Sequence, residues 1–128
     1  MIREMSEVEK KIVVEKGIRI AVISSETVLV EDTQAMLDLM TGLRYEENCD
    51  CLALNREAFA SAFFVLSSGV AGEILQKVVN YRIKLAIFGD FSSYHSKPLQ
   101  DFIRESNRGR HIFFAETEQE AVGWLAKP

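Results

Sequence analysis

The sequence predicts an α/β fold: a single domain in which helices pack against a five-stranded, mostly parallel sheet with one antiparallel edge strand. Three observations predict it. Short β-branched or continuously apolar runs alternate with longer segments whose apolar residues recur at helical spacing, the pattern of strand–helix–strand crossovers. The first two runs have only Lys16-Gly17 between them, so they form a hairpin and the first strand lies antiparallel at an edge. The chain has 128 residues, enough for one core without staples.

Each element follows from its own residues. "KIVVEKGIRIAVIS" gives the two strands of the hairpin, with Gly17 supplying a positive φ. "EDTQAMLDLMTGLRYEE" reads as a helix capped by Asp32 or Thr33, with Met36, Leu39, Met40 and Leu43 on one stripe. Gly42 inside it is a poor helix former, and close packing is the expected reason for it. "CDCLALN" is a buried strand. "REAFASAFF" is a loop or short helical turn whose Phe59, Phe63 and Phe64 plug one end of the core. "LSSGVAGEILQKVVNYR" opens a helix with a wide apolar side made of Val70, Ile74, Val78 and Tyr81 or Arg82, flanked by Ala71, Leu75 and Val79. "KLAIFGD" is the next strand. "SKPLQDFIRESNRG" is a helix with Pro98 in its first turn and Gly109 as its stop. "HIFFAE" is the last strand, and "TEQEAVGWLAK" the last helix, with Thr117 and Glu120 at capping-box spacing. Residues 1–10, "MIREMSEVEK", form a charged N-terminal segment, an arm ahead of the domain over 11–128.

Composition excludes several classes. Net charge is −4 and no basic face is visible, so nucleic acid is not an expected partner. The one basic cluster, "RESNRGR", is short and interrupted and reads as a solvated helix end. No apolar run approaches the roughly 18 residues of a membrane span, and the N-terminus lacks the apolar core of a secretory signal, so no membrane role is expected. Cys49 and Cys51, two apart, share one face of a strand, and a disulfide between them would be strained. Two free thiols point to a reducing cytoplasm. These cysteines with His95 and His111 do not have zinc-site spacing, so neither metal nor cofactor is expected.

Two stretches carry candidate chemistry. Ser67-Ser68-Gly69 opens a helix, where free N–H groups and the positive dipole end accept anions. These residues are either a phospho-acceptor or anion site, or simply a cap. The second stretch is the loop after "KLAIFGD". Ligands of open α/β sheets bind beyond the carboxyl ends of the strands. Topology places Asn55, Glu73, Asp90, Ser92 and His95 near that rim, with Asn55, Ser68, Asp90 and His95 as its polar cluster. The competing reading is turn chemistry, in which Asp and Ser bond their own backbone. Glu73 and Lys77 are spaced as a solvated ion pair on the helix. A Ser-His-Asp hydrolase is disfavoured, because no nucleophile elbow is present.

The element order, with "LSSGVAG" following the third strand, resembles the STAS domain of anti-sigma factor antagonists and sulfate transporter tails. In that family an Asp-Ser-Ser-Gly loop opens the corresponding helix. Here Leu66 stands in place of the acidic residue, which departs from the phospho-switching pattern. "GVAGEILQKVVNYRIKLAIFGDFS" and "LQDFIRESNRGRHIFF" resemble a small bacterial family catalogued as a domain of unknown function, DUF4180. That resemblance implies a STAS-like fold and no activity.

The function expected is a non-catalytic cytoplasmic regulatory or protein-binding module, switched by phosphate or another anion at Ser67-Ser68-Gly69. The alternative is a small-ligand-binding domain or small enzyme using the Asp90/His95 loop rim with Glu73. A protein partner is expected, and a homodimer through an apolar helix face is a third reading.

Overall fold

A computed structural model describes residues 8–127. Its five strands are β1 (Val8–Glu15), β2 (Ile18–Ser25), β3 (Cys51–Asn55), β4 (Lys84–Phe88) and β5 (Ile112–Ala115). Its four helices are α1 (Thr33–Glu47), α2 (Val70–Asn80), α3 (Lys97–Ser106) and α4 (Glu118–Leu125). The strands lie in sequence order β1-β2-β3-β4-β5, with β1 antiparallel to β2 and the rest parallel.

That order dictates the layers. Every crossover from β2 to β5 steps in the same direction, and since such crossovers share one hand as a rule, α1, α2 and α3 all cover one face. Their buried residues, among them Met36, Met40, Ile74, Val78 and Leu99, join Leu52, Leu54, Leu85 and Ile87 in the main core. Helix α4 follows β5 and folds onto the other face. There Ala121 and Leu125 cover Ile20, Val22, Ala53 and Ala86. One helix of eight residues is all that α4 offers a face four parallel strands wide.

Local chemistry sets the ends of the elements. Lys16 and Gly17 both take positive φ at the hairpin turn, and Asp32 caps α1 by accepting from the Ala35 N–H at 2.8 Å. Ser96 caps α3, and Thr117 caps α4 by accepting from the Glu120 N–H at 3.1 Å. Phe63 and Phe64 are buried in a short 3₁₀ turn, Ser61–Phe64, and Phe59 is buried just after another, Arg56–Ala58. Their rings form one aromatic cluster that reaches Phe91 and Tyr94, with Phe64 stacked on Tyr94 at 5.0 Å.

Several expectations are corrected. Gly42 is not closely packed: a Cβ there would meet nothing within 4 Å. Cys49 and Cys51 do not share a face. The strand begins at Cys51, so Cys49 points into the main core and Cys51 into the α4 layer. Val79, Tyr81 and Arg82 are exposed, which narrows the apolar side of α2. Helix α3 ends at Ser106, ahead of Gly109. Asn107 then pairs with the backbone of Phe114, accepting its N–H at 2.8 Å and donating to its C=O at 3.2 Å. An amide side chain thus stands where another strand would pair with the β5 edge. The expected arm over residues 1–10 lies largely outside the described residues, while Val8, Glu9 and Lys10 pair with Ser25, Ser24 and Ile23.

Candidate functional site

The loops that follow the parallel strands form a rim at their carboxyl ends, and all the candidate residues except Glu73 lie in them or at their edges. At the end of β3, Asn55 turns its amide toward β2. Its Oδ1 accepts from the Ser25 N–H at 2.8 Å and its Nδ2 donates to the Ser25 C=O at 2.7 Å. Nδ2 also reaches Glu57 Oε1 at 3.2 Å. This bidentate pair extends the β2–β3 ladder by one step and holds the β2 loop in place.

Arg56, next in sequence, binds in three directions. It donates to the Asp90 carbonyl oxygen and pairs with Glu57 at 2.6 Å. Its guanidinium lies 5.7 Å from the centre of the Tyr94 ring. The stem of Arg56 passes directly over Gly89, whose φ of +153° suits glycine. Burial pushes the Glu57 carboxyl up, but hydrogen bonds from the backbone, Arg56 and Asn55 outweigh it and hold its pKa below the ordinary value. Asp90 accepts from the Ser92 N–H at 2.9 Å, an Asx turn. The Ser92 hydrogen bonds, with help from the Arg56 charge, lower the Asp90 pKa.

The serine stretch is built differently from a simple helix cap. Leu66–Ser68 is a 3₁₀ turn, and Gly69, with φ +83°, is the residue that caps α2. Ser68 Oγ donates to the Ala62 C=O at 2.6 Å and accepts from the Val70 N–H at 3.2 Å. Its hydroxyl therefore links the Phe-rich turn to the start of α2. Ser67 is exposed, and its hydroxyl makes no hydrogen bond among the described residues. Glu73 lies in the first turn of α2 and accepts from the Thr33 hydroxyl at 3.0 Å, fastening α2 to the start of α1. The expected Glu73–Lys77 ion pair does not form.

Asn55, Ser68 and Asp90 thus spend their strongest hydrogen bonds on backbone groups. Asn55, Ser68, Asp90 and His95 share the rim but make no hydrogen bond among themselves, and Ser92 serves the Asx turn through its N–H. No group of three metal-ligating side chains converges among the described residues. Exposed carboxylates stand in every loop of the rim: Glu26, Glu31 and Asp32 after β2, Glu57 after β3, Asp90 after β4 and Glu116 after β5. Val28 and Val65 are also exposed there, at 43% and 53%.

Two features escaped the sequence reading. Arg56 is the hub of the rim, which only its long-range contact with Asp90 discloses. A cavity of about 600 Å³ also lies at the opposite edge, between the end of α4 and the first residues of β2 to β4. No helix among the described residues is long and apolar enough to cross a membrane.

No curated protein and no solved structure is similar enough to this chain to match it. A family model does match, over residues 15–125, from the last residue of β1 through the whole of α4. By that match the chain belongs to the family described as a domain of unknown function, DUF4180.

Proposed function

We propose that the protein is a non-catalytic regulatory module that docks a protein partner on the rim at the carboxyl ends of β2 to β5. One observation carries this reading. Asn55, Ser68 and Asp90 of the rim are tied into the backbone, which leaves a preformed, carboxylate-studded surface with Val28 and Val65 standing out of it. Binding residues sit on loops that a rigid scaffold positions, and here the aromatic cluster and Asn55 supply the rigidity. The partner that complements such a surface is a basic protein segment with an apolar side chain at its centre.

Ser67 is the regulatory position in this reading. It is exposed and unengaged, while Ser68 serves as the structural tie. A phosphate there would add about −1.5 to −2 charge to the rim and strengthen the hold on a basic partner. The fold is read as STAS-like because the Ser-Ser-Gly loop precedes the helix that follows β3. A reducing, cytoplasmic setting suits Cys49 and Cys51, which are buried free thiols.

The test is affinity purification from the native host with the wild-type chain and a Glu31→Lys/Glu116→Lys variant. Neither side chain is used in the fold's hydrogen bonds or ion pairs among the described residues. The expected result is a stoichiometric partner lost from the variant, with phosphate on the peptide Leu66–Gly72. A partner retained equally by the variant overturns the rim as the docking surface.

A further inference from the structure

The cavity at the amino-terminal edge of the sheet has a composition unlike the rest of the molecule. The chain carries a net charge of −4, yet Arg82, Lys84, Arg110 and Lys127 line this one cavity and, among the described residues, no Asp or Glu side chain does. None of these four is in an ion pair among the described residues. The pairs go instead to Lys10, Lys11, Arg19, Arg44, Arg56, Lys97 and Arg104. Cations brought together without counter-charges repel one another, and an acidic protein has carboxylates to spare for neutralising them.

Two positions are built at some expense. Arg82 takes φ +58° at the end of α2, a left-handed conformation where glycine is the favoured residue. An arginine there sacrifices backbone ease to put a guanidinium at the cavity mouth. Lys84 Nζ is held by the carbonyl oxygens of Lys127 at 3.1 Å and Leu125 at 3.4 Å, 4.8 Å from the centre of the Trp124 ring. Carbonyls and a ring face fix the ammonium without neutralising it. The floor is apolar, with Cys51 and Trp124, and Trp124 is stacked on Phe113 at 5.0 Å. A volume of about 600 Å³ lies in the range that holds small organic ligands.

We propose that this cavity binds a small organic anion: a molecule with an apolar, planar body seated against Trp124 and the Cys51 floor, and a phosphate or carboxylate met by Arg82, Arg110 and Lys127. This site is separate from the rim and independent of the docking proposed there. Arginine matches such oxyanions by paired N–H donation.

Trp124 is the only tryptophan in the chain, so its indole N–H gives a single reporter signal in a nitrogen-15 NMR spectrum. The full-length protein is titrated with 1-naphthyl phosphate, 1-naphthoate, 1-naphthol and inorganic phosphate. The expected result is a saturable shift of the indole signal with 1-naphthyl phosphate or 1-naphthoate. The stronger of the two assigns phosphate or carboxylate as the head group. Naphthol and inorganic phosphate bind at least about tenfold more weakly, the effect of losing one half of the recognition. Arg110→Glu and Lys127→Glu each weaken the better anion by about tenfold or more, whereas Lys77→Glu on α2, with the same change of net charge, leaves it unaltered. The rest of each spectrum reports that the variant is folded. No saturable shift with either aromatic anion, naphthol binding as tightly as the anions, or an equal loss in Lys77→Glu overturns the proposal.

Discussion

Gly89 and Arg56 touch so closely that no side chain fits between them: a Cβ on Gly89 would lie 2.9 Å from Arg56 Cβ. The glycine keeps the β4 loop low enough for the arginine stem to cross it and reach the Asp90 carbonyl. Gly89→Ala adds both that clash and an unfavourable backbone at φ +153°. It should destabilise the protein by about 1–3 kcal/mol in urea unfolding. In an Arg56→Gly background Gly89→Ala should cost less than in the wild type, because the clash is absent there and only the backbone cost remains.

The pairing of Asn55 with the Ser25 backbone makes a second prediction. Asn55→Ala leaves the Ser25 N–H and C=O without their partners at the end of β2. The expected cost is about 1–3 kcal/mol. Hydrogen exchange localises it: the Ser25 amide should lose its protection while Ala21, deeper in the β2–β3 ladder, keeps most of its own.

Acid should weaken the rim in a defined direction. The Asp90 pKa is lowered by its hydrogen bonds with Ser92 and by Arg56, so the unfolded chain binds a proton there more readily than the folded one. Stability from this group is therefore full above the unfolded-state carboxylate pKa and lost as pH falls through the lower folded-state value. Glu57, also lowered, acts in the same sense. Asp90→Asn should flatten the fall in Tm on the acid side. A fall as steep as the wild type's would show that Asp90 is uninvolved.

The two serines should separate cleanly. Ser68→Ala removes the tie between Ala62 and Val70 and should cost about 0.5–1.5 kcal/mol. Ser67→Ala should stay within about 0.5 kcal/mol of the wild type, as surface changes do. Comparable losses at both positions would mean that Ser67 also serves the fold.

Local features were legible in the sequence because their causes are local. Gly17 marked the hairpin, Asp32 was one of the two caps named for α1, and Thr117 with Glu120 marked the start of α4. The three phenylalanines read correctly as a plug. What escaped depends on partners far along the chain: Asn55 on Ser25, Arg56 on Asp90, and Glu73 on Thr33 in place of the nearer Lys77. The separation of Cys49 from Cys51 turned on a strand starting two residues later than the reading of a shared face required. Arg82, Lys84, Arg110 and Lys127 form no motif, since the fold gathers them from two different connections, the start of a strand and the segment after α4.

The docking of a protein on the rim is tested most directly by site-specific photocrosslinking in the native host. A photoreactive amino acid replaces Val65 on the rim or, as a control, Val14 on β1, which is equally exposed at 58% but belongs to the hairpin end. A discrete protein adduct from position 65 and none from position 14 is the predicted result. Adducts from neither position, or the same adduct from both, would contradict it.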